Sequence, residues 1–235
     1  RKKWNAELAR VDVVDKDERA RKIFYTAMYH TLIAPTTYCD VNGEFRGHDQ
    51  QIYQAKDWRN YSTFSLWDTY RALHPWFTII QTDRVGDMVN SMLSIFDQQG
   101  KLPIWPLIGG ETNQMPGYSA VPVIADAYLK GIGGFDGERA FQACVKSATY
   151  RKQNGVPYVL DQEYIPCDKV GEATSIAMEY AVDDWGIAAM AKKMGKETEA
   201  ELFERRSRYY RHYFDSEIGF IRPRNADGSW LTPYD

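Results

Sequence analysis

Apolar residues recur every three or four positions along most of the chain, which is the spacing of one face of an α-helix. The first such segment covers about residues 16–33, where Ile23, Ala27, Tyr29-His30 and Ile33 recur at helix spacing. Similar segments, mostly bounded by glycine, proline or acidic residues, predict helices at about 62–82, 84–99, 119–131, 137–152, 173–195 and 196–214. The chain is therefore predicted to be all-α, with about seven helices.

Proline, glycine and asparagine mark the interruptions of this pattern. Pro35 ends the first helix, and Pro75, which lacks an N–H donor, should kink or split the second. The Asn42-Gly43 step is a hairpin-turn signal between short extended pieces, and residues 225–228 predict another turn near the end of the chain. Strand is thus expected only as short β pieces in the loops.

Short turns and long loops alternate between the predicted helices. The segment 101–117, for example, holds three prolines and three glycines. This alternation favours paired helices arranged in a ring, a toroid of helical hairpins whose longer loops carry the binding residues. No close internal repeat accompanies it, so a solenoid of identical units is not predicted.

Composition and charge narrow the functional classes. The 235 residues are 44% hydrophobic and 26% charged, with a formal net charge of −3, so no cationic field is available and nucleic-acid binding is disfavoured. The three cysteines form no CxxC pair, and no run of eighteen apolar residues predicts a membrane span. The first residue is Arg1 and not methionine, so we expect a piece of a longer protein and draw nothing from the missing export signal.

One stretch, residues 61–75, places three sugar-binding residue types within one predicted helical turn: Trp67, Asp68 and Arg71. Side chains three and four positions apart share a helix face, so an aromatic wall, a carboxylate and a guanidinium could line one end of a cleft. A sugar ring suits that mixture, because it has apolar faces and hydroxyl groups. The alternative is a structural Asp68–Arg71 ion pair beside a core tryptophan.

Two loops supply further candidates. Glu111 and Asn113 could line a neighbouring sugar subsite, although a carboxylate that braces the loop explains Glu111 equally well. We expect Arg46 and Asp49 to belong to the same rim, with a glycine between them that permits close approach. The adjacent Asp183 and Asp184 lie in the middle of a predicted helix, where a structural role is favoured.

Several segments together resemble the calcium-dependent exo-α-mannosidases of glycoside hydrolase family 92. The blocks that carry the resemblance follow the family's order across nearly the whole chain: Phe24 to Leu32, Asp40 to Gly47, Ser62 to Pro75, Gly100 to Trp105, Glu111 to Met115, Val123 to Tyr128, Glu179 to Trp185, and Arg222 to Trp230.

The resemblance implies an (α/α)6 toroid that is incomplete in this chain. Residues 1–235 would form its N-terminal part, with a β-sandwich upstream and the other half of the toroid downstream. The general acid, the base and most calcium ligands are expected beyond Asp235, so no catalytic residue and no metal ligand is assigned here, and the 235-residue piece alone is expected to be inactive.

The resemblance also implies what the parent protein does. It would be an inverting, calcium-dependent α-mannosidase that removes terminal mannose, with α-1,2 linkages as the first candidate, from N-glycans or mannans. Its partners would be the mannosylated glycan and the remainder of its own polypeptide, in the periplasm, at the cell surface or in the secretions of a bacterium. The alternatives are a glycan-binding or inactive helical module, or a glycosidase that acts on another sugar with the same toroid.

Overall fold

The computed structural model describes residues 1–234, and most of their regular structure is helical. The helices are α1 Lys2–Leu8, α2 Glu18–Thr31, α3 Leu66–Thr69, α4 Leu73–Ile80, α5 Thr82–Gln99, α6 Ala120–Leu129, α7 Gly137–Ala148, α8 Val156–Gln162, α9 Ala173–Met194 and α10 Glu197–Arg206, with a 3₁₀ helix at Tyr209–Tyr213. The strands are β1 Thr36–Thr37, β2 Glu44–Arg46, β3 Ile52–Gln54, β4 Tyr61–Ser62, β5 Pro106–Leu107, β6 Gly110–Glu111, β7 Phe214–Asp215 and β8 Phe220–Ile221.

The predicted helical segments are all present, with three differences. The second begins at Leu66 and not at residue 62, because Tyr61–Ser62 form β4, and it is split into α3 and α4; the last ends at Arg206, followed by a separate 3₁₀ helix. Two seven-residue helices, α1 and α8, were not predicted. None of the α1 residues is buried, and α8 is short and begins beside Gly155, whose φ is 81°. Neither helix carries enough apolar repeats to produce a periodic signal.

Several helix ends follow from single residues. Asp17 and Asp136 cap α2 and α7, because their side chains accept hydrogen bonds from the backbone N–H groups of Arg19 (2.8 Å) and Arg139 (3.0 Å). At the other end, α5 stops at Gly100, whose φ of 79° is left-handed. These signals explain why sequence periodicity locates most boundaries well.

The longest helix, α9, lies at the centre of the packing. It contacts α6, α7 and α10, and Ile187, Met190 and Ala191 on it are fully buried. A Cβ on Gly186 would already be in van der Waals contact with Ala125 of α6 at 3.5 Å, so the small residue permits close approach of the two helices. Burial on several sides explains why α9 shows little one-faced amphipathicity.

A buried polar cluster joins α9 and α10 to the segment before α6. Arg206 donates to Asp184 (2.9 Å), which also accepts from the Tyr118 hydroxyl (2.5 Å), and all three side chains are almost fully buried. The neighbouring Asp183 accepts from the Tyr118 backbone N–H at 2.8 Å. Burial raises the pKa of Asp183 well above its usual range. Both aspartates therefore serve packing in this structure, in the way that the sequence favoured.

The strands pair only locally, in four antiparallel two-stranded sheets: β1 with β4, β2 with β3, β5 with β6, and β7 with β8. The Asn42-Gly43 step does form a tight turn, in which the Gly43 N–H donates to the Asp40 carbonyl at 2.9 Å. It does not join the two strands of the hairpin, however. β2 pairs with β3 across residues 47–51, with Phe45 opposite Tyr53. The turn predicted at residues 225–228 is present, closed by the Gly228 N–H on the Asn225 carbonyl at 2.9 Å.

An apolar depression, which we call the α9–α10 groove, runs along the outer face of α9. Its volume is about 710 Å³ and its lining includes Met178, Val182 and Trp185 of α9 with Tyr210 from the 3₁₀ helix. Trp185 is 62% exposed and Val182 is 47% exposed. Within residues 1–234, no helix is both long and apolar enough to cross a membrane.

Candidate functional site

The break between α3 and α4 positions the three residues that the sequence grouped together. α3 ends at Thr69 and α4 starts at Leu73, so Pro75 falls in the first turn of α4, where its missing N–H costs no helical hydrogen bond. Trp67 and Asp68 remain on α3, whereas Arg71 lies in the break. The sequence rule that assumed one uninterrupted helical turn was therefore wrong here, although Pro75 was correctly expected to split the helix.

Arg71 pairs with a residue from a different part of the chain. Its Nη2 donates to Glu179 Oε1 of α9 at 2.6 Å, and its guanidinium carbon lies 4.7 Å from the ring centroids of both Trp67 and Tyr70. The suggested Asp68–Arg71 ion pair is not formed, because the helix break turns Arg71 toward α9. Glu179 holds the pKa of Arg71 above its usual value through this hydrogen bond.

Asp68 is exposed at the edge of a separate cleft. The cleft has a volume of about 460 Å³, and its walls come from α2, α3 and α4: Phe24, Ala27, Met28, Thr31, Asp68, Thr69, Ala72, Leu73 and Trp76. Among residues 1–234, the Asp68 carboxylate has neither a hydrogen-bond nor an ion-pair partner. A carboxylate with free acceptors beside aromatic and aliphatic surface can bind a polar ligand such as a sugar hydroxyl.

Trp67 is half-buried rather than an open wall. Its indole N–H is buried and has no partner within the described part of the chain. One side of the ring is covered by the Arg71 guanidinium, which leaves less of it available to a ligand than a free aromatic face would offer. In this structure the ring supports Arg71.

Glu111 is fully occupied by its own loop. Its two oxygens accept the backbone N–H groups of Ile104 (2.8 Å), Trp105 (2.9 Å) and Asn113 (2.9 Å). This arrangement fits the loop-bracing alternative, since a carboxylate that holds three N–H groups has little capacity left for a sugar. The geometry thus favours an indirect role for Glu111, in shaping the loop.

Asn113 is exposed and has a left-handed φ of 52°. Its side-chain oxygen accepts from Lys101 Nζ, which also donates to Gln153 at 2.8 Å. Burial lowers the pKa of Lys101. The Asn113 amide nitrogen has no partner among the described residues and remains able to donate to a ligand.

Arg46 and Asp49 lie on the β2–β3 hairpin. Asp49 accepts from the Tyr53 hydroxyl (2.6 Å) and from the Gln51 N–H (3.0 Å), and the Tyr53 bond lowers the pKa of Asp49. Gly47 is needed for packing, because a Cβ there would lie 2.6 Å from the Tyr53 ring. Asp49 therefore shapes the hairpin turn, whereas Arg46 is exposed at its edge and has no ion-pair partner in residues 1–234.

Sequence reasoning missed Glu179 and Tyr70. Glu179 accepts from Arg71 and, through its second oxygen, from the Tyr70 hydroxyl at 2.7 Å. Glu179 was visible only as part of a block that resembled the family. Its partners lie more than a hundred positions away, so no local spacing rule could have connected them.

An exposed free carboxylate and an arginine beside two aromatic rings offer the polar and apolar contacts that a sugar ring can use. The comparison with known families agrees. The whole chain, residues 1–235, matches the glycosyl hydrolase family 92 catalytic domain, and the chain belongs to this family.

Solved structures of the same family are closely similar. The GH92 α-mannosidase BT3965 from Bacteroides thetaiotaomicron is 41% identical, with a TM-score of 0.95 over 99% of this chain and 31% of its own. The GH92 inverting mannosidase BT2199 from Bacteroides thetaiotaomicron VPI-5482 is 28% identical, with a TM-score of 0.91 over 100% of this chain and 33% of its own. The chain therefore spans about a third of the solved relatives it matches.

A curated relative is more distant. It is described as an uncharacterized secreted glycosidase of Arthroderma benhamiae, and it is 24% identical over 89% of this chain and 26% of its own length. The relatives named here are thus glycoside hydrolases by description, and two of them are mannosidases.

Proposed function

We propose that this chain is part of an inverting, calcium-dependent enzyme that hydrolyses terminal α-mannosidic linkages, α-1,2 first, of N-glycans or mannans. The observation that carries the proposal is the family match over the whole chain, together with 41% identity to a solved α-mannosidase. We further propose a location in the periplasm, at the cell surface or outside a bacterial cell; the description of one relative as a secreted glycosidase supports export from the cytoplasm.

In this proposal the described residues form walls of the sugar site. Asp68 accepts hydrogen bonds from sugar hydroxyls, because its carboxylate is exposed and free of protein partners within residues 1–234. Arg71 donates to the substrate from the N–H groups that Glu179 does not use. We assign Arg46 and the Asn113 amide to the rim of the site, and Glu111 and Asp49 brace the loops that carry them.

The reacting groups are assigned to the rest of an (α/α)6 toroid in the longer polypeptide. An inverting glycosidase needs a general acid and a general base with carboxyl groups about 6.5–9.5 Å apart, so that a water molecule fits between the base and the sugar. Within residues 1–234, no three or more His, Cys, Asp or Glu side chains are grouped to hold a metal ion. In this proposal the calcium ion is bound mostly by ligands in the rest of the polypeptide.

The test is an assay of the full-length protein on α-linked mannobioses and on matched α-glucosides, with NMR detection of the first-formed anomer. Release of β-mannose from an α-linkage supports an inverting mannosidase, and loss of turnover in EDTA that calcium restores supports the metal. Hydrolysis of the glucosides but not of the mannobioses would identify a glycosidase that acts on another sugar. Binding of mannosides without hydrolysis would identify a glycan-binding or inactive module.

A further inference from the structure

Glu179 bridges the central helix to the α3–α4 break through both of its oxygens. Oε1 accepts from Arg71 Nη2 at 2.6 Å, and Oε2 accepts from the Tyr70 hydroxyl at 2.7 Å. The Glu179 side chain is only 13% exposed, whereas that of Arg71 is 46% exposed. A shielded carboxylate thus holds a guanidinium that still reaches solvent.

The guanidinium of Arg71 contacts two aromatic rings. Its carbon lies 4.7 Å from the centroids of Trp67 and Tyr70, which is within the range of cation–π attraction. Only Nη2 has a hydrogen-bond acceptor within residues 1–234, so Nε and Nη1 keep unused donors. Arg71 therefore has an occupied edge toward α9 and a free edge that can bind an oxygen-rich ligand.

The backbone of residues 70–72 is joined to both flanking helices, by the Tyr70 N–H on the Leu66 carbonyl (3.0 Å) and the Trp76 N–H on the Ala72 carbonyl (2.9 Å). The Arg71 guanidinium, in contrast, has Glu179 as its one hydrogen-bond acceptor within residues 1–234. An arginine side chain has many rotamers, and ordering it against a ligand costs conformational entropy. Glu179 reduces the entropy lost on ligand binding, because its hydrogen bonds to Arg71 and to the neighbouring Tyr70 order both side chains in advance.

The surroundings keep the carboxylate of Glu179 in place. A Cβ on Gly117, whose φ is 92°, would lie 3.3 Å from Glu179 Cβ and 3.3 Å from Asp183 Oδ2, so the loop before α6 packs tightly against this turn of α9. Asp183, one turn further along α9, is held by the Tyr118 backbone N–H at 2.8 Å, and burial raises its pKa. Glu179 is therefore the carboxylate that pairs with Arg71.

We propose that Glu179 is a positioning residue: it holds Arg71, between Trp67 and Tyr70, in the orientation that binds the substrate. This inference rests on the proposed function, in which Arg71 contacts the sugar. Glu179 itself touches no substrate. Its effect passes through Arg71, so removing Glu179 matters only while Arg71 is present.

The test is a double-mutant cycle in the full-length enzyme. Glu179→Ala and Arg71→Ala should each lower kcat/KM on an α-mannoside by about tenfold or more, as expected for the loss of a charged hydrogen bond. The kcat/KM of the double variant should agree with that of Arg71→Ala within about twofold. If the two losses multiply instead, Glu179 acts independently of Arg71 and the proposal is overturned.

Conservative variants separate positioning from structure. Glu179→Gln keeps the length and an acceptor oxygen, so it should recover part of the loss, whereas Tyr70→Phe removes only the hydroxyl and should cost less than Glu179→Ala. Asp161→Asn breaks an exposed Arg151–Asp161 pair (2.5 Å) and is the matched control, which should leave kcat/KM unchanged. If the loss of kcat/KM in each variant follows its loss of Tm across the whole series, Glu179 has a purely structural role and the proposal is overturned.

A crystal structure of Glu179→Ala gives a readout that does not depend on activity. We expect the Arg71 guanidinium to leave its place between the two rings. If the wild-type enzyme hydrolyses no mannoside, the proposed function fails, and the crystal structure of Glu179→Ala alone tests whether Glu179 positions Arg71. An Arg71 side chain that keeps its wild-type position in that variant would overturn the positioning role.

Discussion

Asp68 is the residue whose surroundings most favour direct contact with substrate. It is exposed on α3, beside an apolar cleft, and its carboxylate has no partner in the described chain. A group without protein partners contributes little to stability, so its removal should affect binding and catalysis far more than folding.

We predict that Asp68→Ala in the full-length enzyme lowers kcat/KM by about a hundredfold, because a charged hydrogen bond in the transition state is lost. The melting temperature should change little. Steady-state kinetics and calorimetry on the same samples test this, with Asp161→Ala, an exposed aspartate of the α8 helix, as the control. Unchanged kinetics with a lower Tm would show that Asp68 is structural after all.

His74 should make the folded state sensitive to acid. It is fully buried in α4, stacked on Phe64 (6.1 Å between centroids), and burial lowers its pKa from 6.5 to about 4. The unfolded chain therefore takes up a proton first as the pH falls below about 6.5, and stability is lost progressively down to about pH 4. Between about pH 7 and pH 4.5 this loss amounts to about 2–3 kcal/mol.

Urea unfolding of wild type and His74→Phe at the two pH values measures this contribution. The variant should lose about 2–3 kcal/mol less on acidification, whatever its stability at neutral pH. His30→Gln, an exposed histidine of α2, should retain the wild-type pH dependence. An identical acid loss in His74→Phe and wild type would contradict the burial argument.

At the scale of elements, the Glu111 side chain braces the loop from residue 101 to 117 from within. Glu111 holds three backbone N–H groups, and two of them belong to adjacent residues on the far side of the β5–β6 turn. Without the carboxylate these N–H groups lose their acceptor.

Glu111→Ala should therefore lower the free energy of unfolding by about 2–3 kcal/mol, measured by urea denaturation. Limited proteolysis should also cut the loop faster, because its backbone is no longer fixed. Glu44→Ala, on the exposed β2 edge, lacks any side-chain hydrogen bond or ion pair in residues 1–234 and should be neutral. Equal effects of the two substitutions would exclude the bracing role.

Most helices could be predicted because their evidence is local. Periodic apolar positions, the capping aspartates Asp17 and Asp136, and Gly100 as a C-cap all act within a few residues of the boundary. The short helices α1 and α8 could not be predicted this way, since seven residues give at most two repeats of the pattern. Contacts distant in sequence hold them: Glu7 of α1 binds Gln81 and Arg84, and α8 buries Val156 and Val159.

The sequence named candidate residues but could not show the contacts between them. Trp67, Asp68 and Arg71 were chosen because their residue types suit a sugar, which stays a prediction, whereas the alternative, an Asp68–Arg71 ion pair, is not formed. A helical break redirects Arg71 to Glu179, and the length of chain between the two hides this contact from any local pattern. Glu111 shows the same limit, because only the folded loop reveals that its oxygens are occupied.

At the scale of the whole molecule, the ring of helical hairpins remains a prediction. The described chain is mostly helical, and its fold matches the α-mannosidase BT3965 over 99% of this chain. The matched region is only 31% of the BT3965 chain. Upstream and downstream domains and the calcium site likewise remain proposals about the longer protein.

We predict that the 235-residue chain alone does not hydrolyse an aryl α-mannoside, with or without calcium, whereas the full-length protein does. The reason is that the proposed acid and base belong to other parts of the polypeptide. A colorimetric assay of both proteins at equal concentration, with and without EDTA, makes the comparison. Turnover by the shorter chain would place a complete catalytic set within it.

The α9–α10 groove offers a direct way to observe what associates with this domain. Trp185 projects from its wall and is largely hydrated. The fluorescence of an indole shifts to shorter wavelength when apolar neighbours replace water around it, so the emission of Trp185 depends on whether the groove is covered. The difference between the emission spectra of the wild type and Trp185→Phe isolates its signal from the other tryptophans. A blue shift on mixing with another segment of the polypeptide would then report, in real time, that the groove has been covered.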